Sequence, residues 1–220
     1  MANISFARLD PQAIICEKFH KRVRPWDSFH GPAAATGGID AIHPADRIAD
    51  IHPTLISRHD WSGWTPKHLA TLCFVLQGSR VLLIRKKRGL GAGKINGVGG
   101  KLEAGETPLA AIHREAREEL GITLVRPEPR GLLHFQFEDG YGLLCTAYVA
   151  FGFEGQPVST AEADPLWFTI ETLPFSEMWE DDRLWLPQML QGRRFRGYFF
   201  FAGDKMQSHL IEWQDEPPAT

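Results

Sequence analysis

This 220-residue chain predicts a layered α/β or α+β domain. Short apolar runs are separated by turn residues, one strongly patterned helix lies among them, and the composition suits a soluble globular protein, with 43% apolar and 23% charged residues. A chain of this length can bury a substantial core. The formal net charge of -3 gives no reason to expect a nucleic-acid polymer as partner, since such binders carry a basic surplus or stripe. Cys16, Cys73 and Cys145 are widely spaced, without metal or redox pairing, and read as small hydrophobes in a reducing compartment. There is no signal-peptide pattern and no apolar run near the roughly 18 residues of a membrane span. The expectation is a cytoplasmic protein, monomeric, with no membrane partner.

Residues 1–66 read apart from the rest. Pro11, Pro25, Pro32, Pro44, Pro53 and Pro66, with the small-residue run at 31–38, argue against long regular elements. Ile14, Trp26, Phe29, Ile51, Trp61 and Trp64 are nonetheless too apolar for a freely solvated tail. The reading is an irregular arm packed in part on the main domain and open to a partner, with a disordered extension as the alternative. The histidines here are scattered and show no zinc spacing.

The folded domain is expected over 67–214, with 215–220 a short tail. Strands at 70–76 and 80–85 flank the turn Gln77-Gly78-Ser79. Residues 86–99 form a loop with glycines at 89, 91, 93, 97 and 99. Thr107 caps a helix that has Pro108 at its first position and Gly121 at its end. Leu109, Ile112, Ala116 and Leu120 give that helix an apolar stripe for packing on a sheet. Strands follow at 131–137 and 142–151, joined across Glu138-Asp139-Gly140-Tyr141, and another at 165–170. Residues 181–190 are helical, with Pro187 near the start or at a kink. A hairpin of 198–202 and 209–213 closes the domain.

Glu115, Glu118 and Glu119, spaced by three and four residues, share one arc of the helix. Alone they could be a solvated acidic face. Gathering three like charges is costly without a cation, and carboxylate oxygens suit Mg²⁺ or Mn²⁺. The surrounding spacing decides between these readings: Gly100, Glu106, then Arg114-Glu115-Ala116-Arg117-Glu118-Glu119-Leu120-Gly121-Ile122. This pattern resembles the signature of the Nudix hydrolases, with the small Ala116 at an aliphatic position as its one soft departure. The resemblance implies a Nudix fold, a mixed β-sheet sandwiched between helices (α/β/α). It also implies Mg²⁺-dependent cleavage of a nucleotide diphosphate linkage by water, with Mn²⁺ as a substitute ion. Gly100 contributes a carbonyl ligand, Glu115, Glu118 and Glu119 are the metal carboxylates, and Arg114 orients one of them. Glu106 supports the helix.

The resemblance continues through 86–101, 174–185 and 197–199 to the animal-type oxidised-purine branch of that family. It implies a purine nucleoside triphosphate as substrate, such as 8-oxo-dGTP or 2-hydroxy-dATP. Asn96, Asp181 and Asp182 would read the base, Trp179 would stack on it, and Phe135, Thr71 and Trp185 would line the pocket. Glu162 is a further carboxylate near the ions and a catalytic auxiliary. Lys86 would help hold phosphate. Leu90 and Leu144 depart from the branch beside the pocket, which puts base preference in question. Trp167, Phe168, Phe199, Phe200 and Phe201 read as core or strand packing, and Asp181 and Asp182 could instead cap the helix that follows. A broader purine nucleotide pyrophosphatase and a nucleotide-sensing module remain as alternatives, the second disfavoured by the full set of glutamates.

Overall fold

The structure, a computed structural model, describes Trp61 and residues 63–214. Most of the arm assigned to 1–66, and the tail at 215–220, lie outside the described residues. Strands β1 (His68–Gln77) and β2 (Arg80–Lys86) form the first hairpin. The turn requires a left-handed backbone at Gly78, with φ 62°, which glycine adopts without steric cost. A short β3 (Ile95–Asn96) follows inside the glycine-rich loop and pairs with the far end of β2.

Helix α1 (Pro108–Leu120) has the predicted boundaries. The Thr107 hydroxyl accepts the Ala110 N–H at 3.2 Å, and Gly121, at φ 71°, ends the helix with its N–H on the Arg117 carbonyl. Beyond it run β4 (Thr123–Leu124), β5 (Glu128–Phe137), β6 (Gly142–Ala150), β7 (Phe153–Glu154) and β8 (Ala163–Thr169). Helix α2 (Asp182–Leu190) and strands β9 (Arg194–Ala202) and β10 (Lys205–Gln214) complete the described chain. Pro187 lies inside α2, not at its start.

The main sheet is ordered β10-β9-β5-β6-β1-β2, with β3 and β8 also on β2. β1 is parallel to β6 and β5 is parallel to β9, while the other pairs are antiparallel. β8 pairs along the whole of β2, so β1 and β3 share the opposite edge. Side chains alternate between two cores, as the period of a strand requires. Phe74, Val81, Leu83, Leu143 and Cys145 join Trp185, Leu186 and Met189 of α2 in one core. Cys73, Val75, Leu82, Ile84 and Tyr148 join Ile112, Ala116 and Leu120 of α1 in the other. One helix therefore covers each face, and the mixed sheet lies between them.

Several strands run longer than the apolar runs suggest. β5 begins at Glu128 because its ladder accommodates Pro129 through a register shift before Gly131, at a residue with no N–H to donate. β10 begins at Lys205 and includes the polar Gln207 and Ser208. The two-residue strands β4 and β7 pair only with each other and are too short to show a period.

Two substitutions separate capping from packing in α1. Thr107→Ala should cost about 1 kcal/mol, and Ile112→Ala, at a fully buried position, about 2–5 kcal/mol. Urea unfolding of both variants checks the order.

Candidate active site

The site is built around a stretch of backbone that tolerates almost no side chain. β1 pairs with β2 only from Val75 to Gln77. Nearer its start the edge of β1 is taken by residues 98–101, through bridges Cys73 to Val98 and Ala70 to Lys101. A Cβ at Gly99, whose φ is 149°, would stand 2.0 Å from the Thr71 carbonyl oxygen, and one at Gly100 would stand 2.4 Å from Glu115 Oε1. Glycine at both positions lets the strip lie between β1 and α1 and brings its amides and carbonyls onto the helix carboxylates.

Glu119 is almost fully buried. Its Oε2 accepts the Gly99 N–H at 2.8 Å, and its Oε1 accepts Lys86 Nζ at 3.0 Å. Lys86 Nζ also donates to the Gly99 carbonyl at 3.1 Å. Burial outweighs these partners and pushes the Glu119 carboxyl up to about 7. Burial raises Glu115 in the same way, opposed by Arg114. Glu118 is half exposed. One Arg114 nitrogen, Nη1, donates to both Glu115 Oε1 and Glu118 Oε2 at 2.9 Å, while Nε and Nη2 fork onto Glu106, each at 3.0 Å. Arg114 thus faces carboxylates, and its ion pair holds Glu106 below the usual carboxylate range.

Beside this seam lies a cavity of about 420 Å³, within the size range of small-molecule sites. Its charged lining includes Lys86, Arg88, Lys101, Glu115 and Glu162, and Arg88 is paired with Glu162. Its apolar lining includes Phe135, Phe137, Leu143, Trp179 and Phe201. The Trp179 ring stands edge-on to Phe201 at 5.8 Å, with Lys94 Nζ 4.9 Å from its centroid.

Asn96, Thr71, Asp181 and Asp182 supply polar groups to the same cavity. Asn96 Oδ1 accepts the Gly97 N–H, which leaves its amide NH₂ as the group to offer a ligand. Asp182 Oδ2 accepts the Trp179 N–H at 3.2 Å. Asp181 makes no side-chain cap to α2; its Oδ2 accepts the Trp185 indole N–H at 2.9 Å. Asp181 Oδ1 and Thr71 Oγ1 are buried without a hydrogen-bond partner, a costly condition that a bound ligand would relieve. Burial raises both aspartates, and the charge of Asp181 raises Asp182 further.

Two placements differ from the sequence expectations. Trp185 does not line the cavity: it is fully buried, edge-on to Phe74 and stacked on Phe195, and it touches the site only through Asp181. Leu143 and Cys145 line the cavity in place of Leu144, which the alternation of β6 turns away. Phe201 is buried in the core as expected and also lines the cavity together with Phe137. The signal for these aromatics was their register: Phe135 and Phe137 on β5 alternate in step with Phe199 and Phe201 on β9.

The donors suit a divalent cation: carboxylates of raised pKa, which a bound cation would favour in the charged form, and a backbone carbonyl at Gly100. Gly100 O also accepts the Thr71 N–H at 2.9 Å, and a carbonyl has a second lone pair to offer. Among the described residues no three acidic, histidine or cysteine side chains converge as a ready-made metal group. Lys86 and Arg114 take the carboxylates instead, as the competing cations.

A family model described as NUDIX domain matches residues 66–189. A zebrafish (Danio rerio) protein named oxidized purine nucleoside triphosphate hydrolase is 46% identical over 146 residues, covering 66% of this chain and 94% of that protein. The mouse (Mus musculus) protein of the same name is 40% identical over 134 residues, covering 60% of this chain and 86% of its own length. Among solved structures, a mutator MutT protein from Bacillus halodurans superposes with a TM-score of 0.59 at 27% identity, covering 66% of this chain and 97% of that one.

The buried Glu119 carboxyl gives a pH signature in the metal-free protein. Its folded pKa of about 7 exceeds the ordinary 4.5, so the folded state binds the proton more tightly and the group costs stability as pH rises through that window. Glu119→Gln carries no such cost. In chelator, its stability relative to wild type should rise between pH 5 and pH 7.5 in urea unfolding; an equal difference at both values contradicts the assignment.

Proposed function

This chain belongs to the NUDIX family, and we propose that it hydrolyses oxidised purine nucleoside triphosphates, 8-oxo-dGTP and 2-hydroxy-dATP among them, to the monophosphate and pyrophosphate. The observation that carries the reading is the cavity itself, where an aromatic wall and two unpartnered buried polar atoms adjoin a seam of buried carboxylates. The names of the zebrafish and mouse relatives support the same substrate class.

A purine would lie against Trp179 and Phe135, whose flat apolar faces suit stacking. At neutral pH the raised aspartates favour holding a proton between them, so the pair offers the base both a donor and an acceptor. Thr71 and Asn96 complete the polar contacts. That combination suits a base whose oxidation has changed its donor and acceptor edge. The triphosphate would extend toward Lys86, whose ammonium supplies positive charge at the cavity wall.

We assign Mg²⁺, with Mn²⁺ as substitute, to Gly100, Glu115, Glu118, Glu119 and Glu162. Such an ion, when bound, neutralises phosphoryl charge and lowers the pKa of a coordinated water. Arg114 orients Glu115 and Glu118 from outside the cavity lining. Water attacks the β-phosphorus: a new P–O bond forms there, the bond from that phosphorus to the bridging oxygen breaks, and the nucleoside monophosphate leaves. The cellular role is removal of damaged nucleotides, by a cytoplasmic monomer, with residues 1–66 as the segment assigned to any partner. No described helix is long and apolar enough to cross a membrane.

Turnover of 8-oxo-dGTP with Mg²⁺ in ¹⁸O-water should yield monophosphate and pyrophosphate, with the label on pyrophosphate. Release of inorganic phosphate, or label on the monophosphate, would count against the assigned cleavage. Glu119→Gln should lower kcat on the order of 100-fold while the protein stays folded. Asp181→Asn should change the ratio of kcat/KM between oxidised and unmodified purines, and an equal effect on every base would remove it from base reading.

A further inference from the structure

Trp179, Asp181 and Asp182 line the cavity, and the residue among them that does not is Glu180. Its carboxylate points to the β9–β10 hairpin. Oε1 accepts Lys205 Nζ at 2.8 Å and Oε2 accepts the Met206 backbone N–H, also at 2.8 Å. Met206 stands where the β9–β10 pairing slips in register before Ser208. The same hairpin carries Phe201, against which Trp179 rests edge-on, and Asp204, which meets Lys94 Nζ at 3.4 Å while that ammonium lies over the Trp179 ring. The segment is held separately at Glu177, whose side chain accepts Arg85 Nη2 at 2.7 Å and whose carbonyl accepts the Ile95 N–H at 2.9 Å.

We propose that Glu180 is a positioning residue for base recognition: it clasps residues 179–182 to the β9–β10 hairpin and so fixes Trp179, Asp181 and Asp182 relative to Phe201. Its part in selectivity rests on the reading of the cavity as a purine site. The two bonds differ in weight. Lys205 is three-quarters exposed, so that ion pair is screened and contributes little. The bond to the Met206 N–H joins a charged acceptor to a fixed backbone donor and is the stronger of the two. A glutamine at this position keeps an oxygen acceptor for that N–H, whereas an alanine keeps nothing.

Glu180→Ala, Glu180→Gln and Lys205→Ala separate these contributions in the full chain. Each variant is assayed for kcat and KM with 8-oxo-dGTP and dGTP, and the ligand-free proteins are compared by amide hydrogen exchange over residues 177–182. Glu180→Ala should raise KM for 8-oxo-dGTP by about tenfold, the weight of one charge-assisted hydrogen bond. It should also lower the preference over dGTP and speed exchange in the segment, with kcat nearly unchanged. Lys205→Ala should stay within about twofold of wild type, and Glu180→Gln, with a neutral acceptor in place of a charged one, should raise KM less than Glu180→Ala does. The clasp is overturned if Glu180→Ala leaves KM, selectivity and exchange unchanged, if it lowers kcat for both bases equally, or if glutamine does as badly as alanine. Should wild type hydrolyse neither nucleotide, the purine reading fails by itself, and exchange decides the clasp: faster in the alanine variant alone supports it, equal in all three overturns it.

Discussion

The approach of the Gly99-Gly100 backbone to β1 and α1 is the constraint on which the site depends. β1 parts from β2 below Val75, and the glycine strip fills the opened edge. The purely apolar packing of α1 is interrupted there. Along the rest of the helix Ile112, Ala116 and Leu120 seal one face of the sheet, but Glu115 and Glu119 meet backbone amides and carbonyls at the opening. Any side chain at Gly99 would strike the Thr71 carbonyl, and one at Gly100 would strike Glu115. A methyl group at Gly99 would force the strip away from the β1 backbone, and one at Gly100 would displace the Glu115 carboxylate.

That opening joins two kinds of chemistry which the layers otherwise keep apart. The aromatic wall, with Phe135, Phe137 and Phe201, stands among side chains of the α2 face of the sheet. The acidic seam comes from α1 on the other face. Buried carboxylates carry a desolvation cost, visible in the raised Glu115 and Glu119, and Lys86 and Arg114 offset part of it. In the same cavity lining Asp181 and Asp182 carry a similar cost, with one oxygen still unpartnered. A nucleotide is the kind of ligand that answers both sets of groups, with a flat polar-edged base for one and phosphate with its cation for the other.

The elements legible in the sequence were those whose signal is local. Thr107, Pro108 and Gly121 marked both ends of α1 by capping chemistry, and the spacing of Glu115, Glu118 and Glu119 marked its acidic arc. What escaped was set by pairing across the sheet. The two-residue strands β4 and β7 exist only because each finds the other. Leu143 and Cys145, and not Leu144, face the cavity because of strand register, and a shift of one residue reverses a side chain's face. Trp185 was placed in the pocket by the family resemblance, yet it is packed between Phe74 and Phe195 and acts on the site through one hydrogen bond to Asp181. Phe201 was legible as apolar, but its place beside Trp179 follows from the parallel pairing of β9 with β5.

Under the proposed function this cavity distinguishes an oxidised purine from its parent. The direct measurement is kcat/KM of the full chain with Mg²⁺ for 8-oxo-dGTP against dGTP. A large preference for 8-oxo-dGTP, at least about tenfold and equivalent to one well-placed hydrogen bond, is the predicted result. Equal values for the two nucleotides would contradict base recognition in this cavity and leave a hydrolase that reads the phosphates without reading the base.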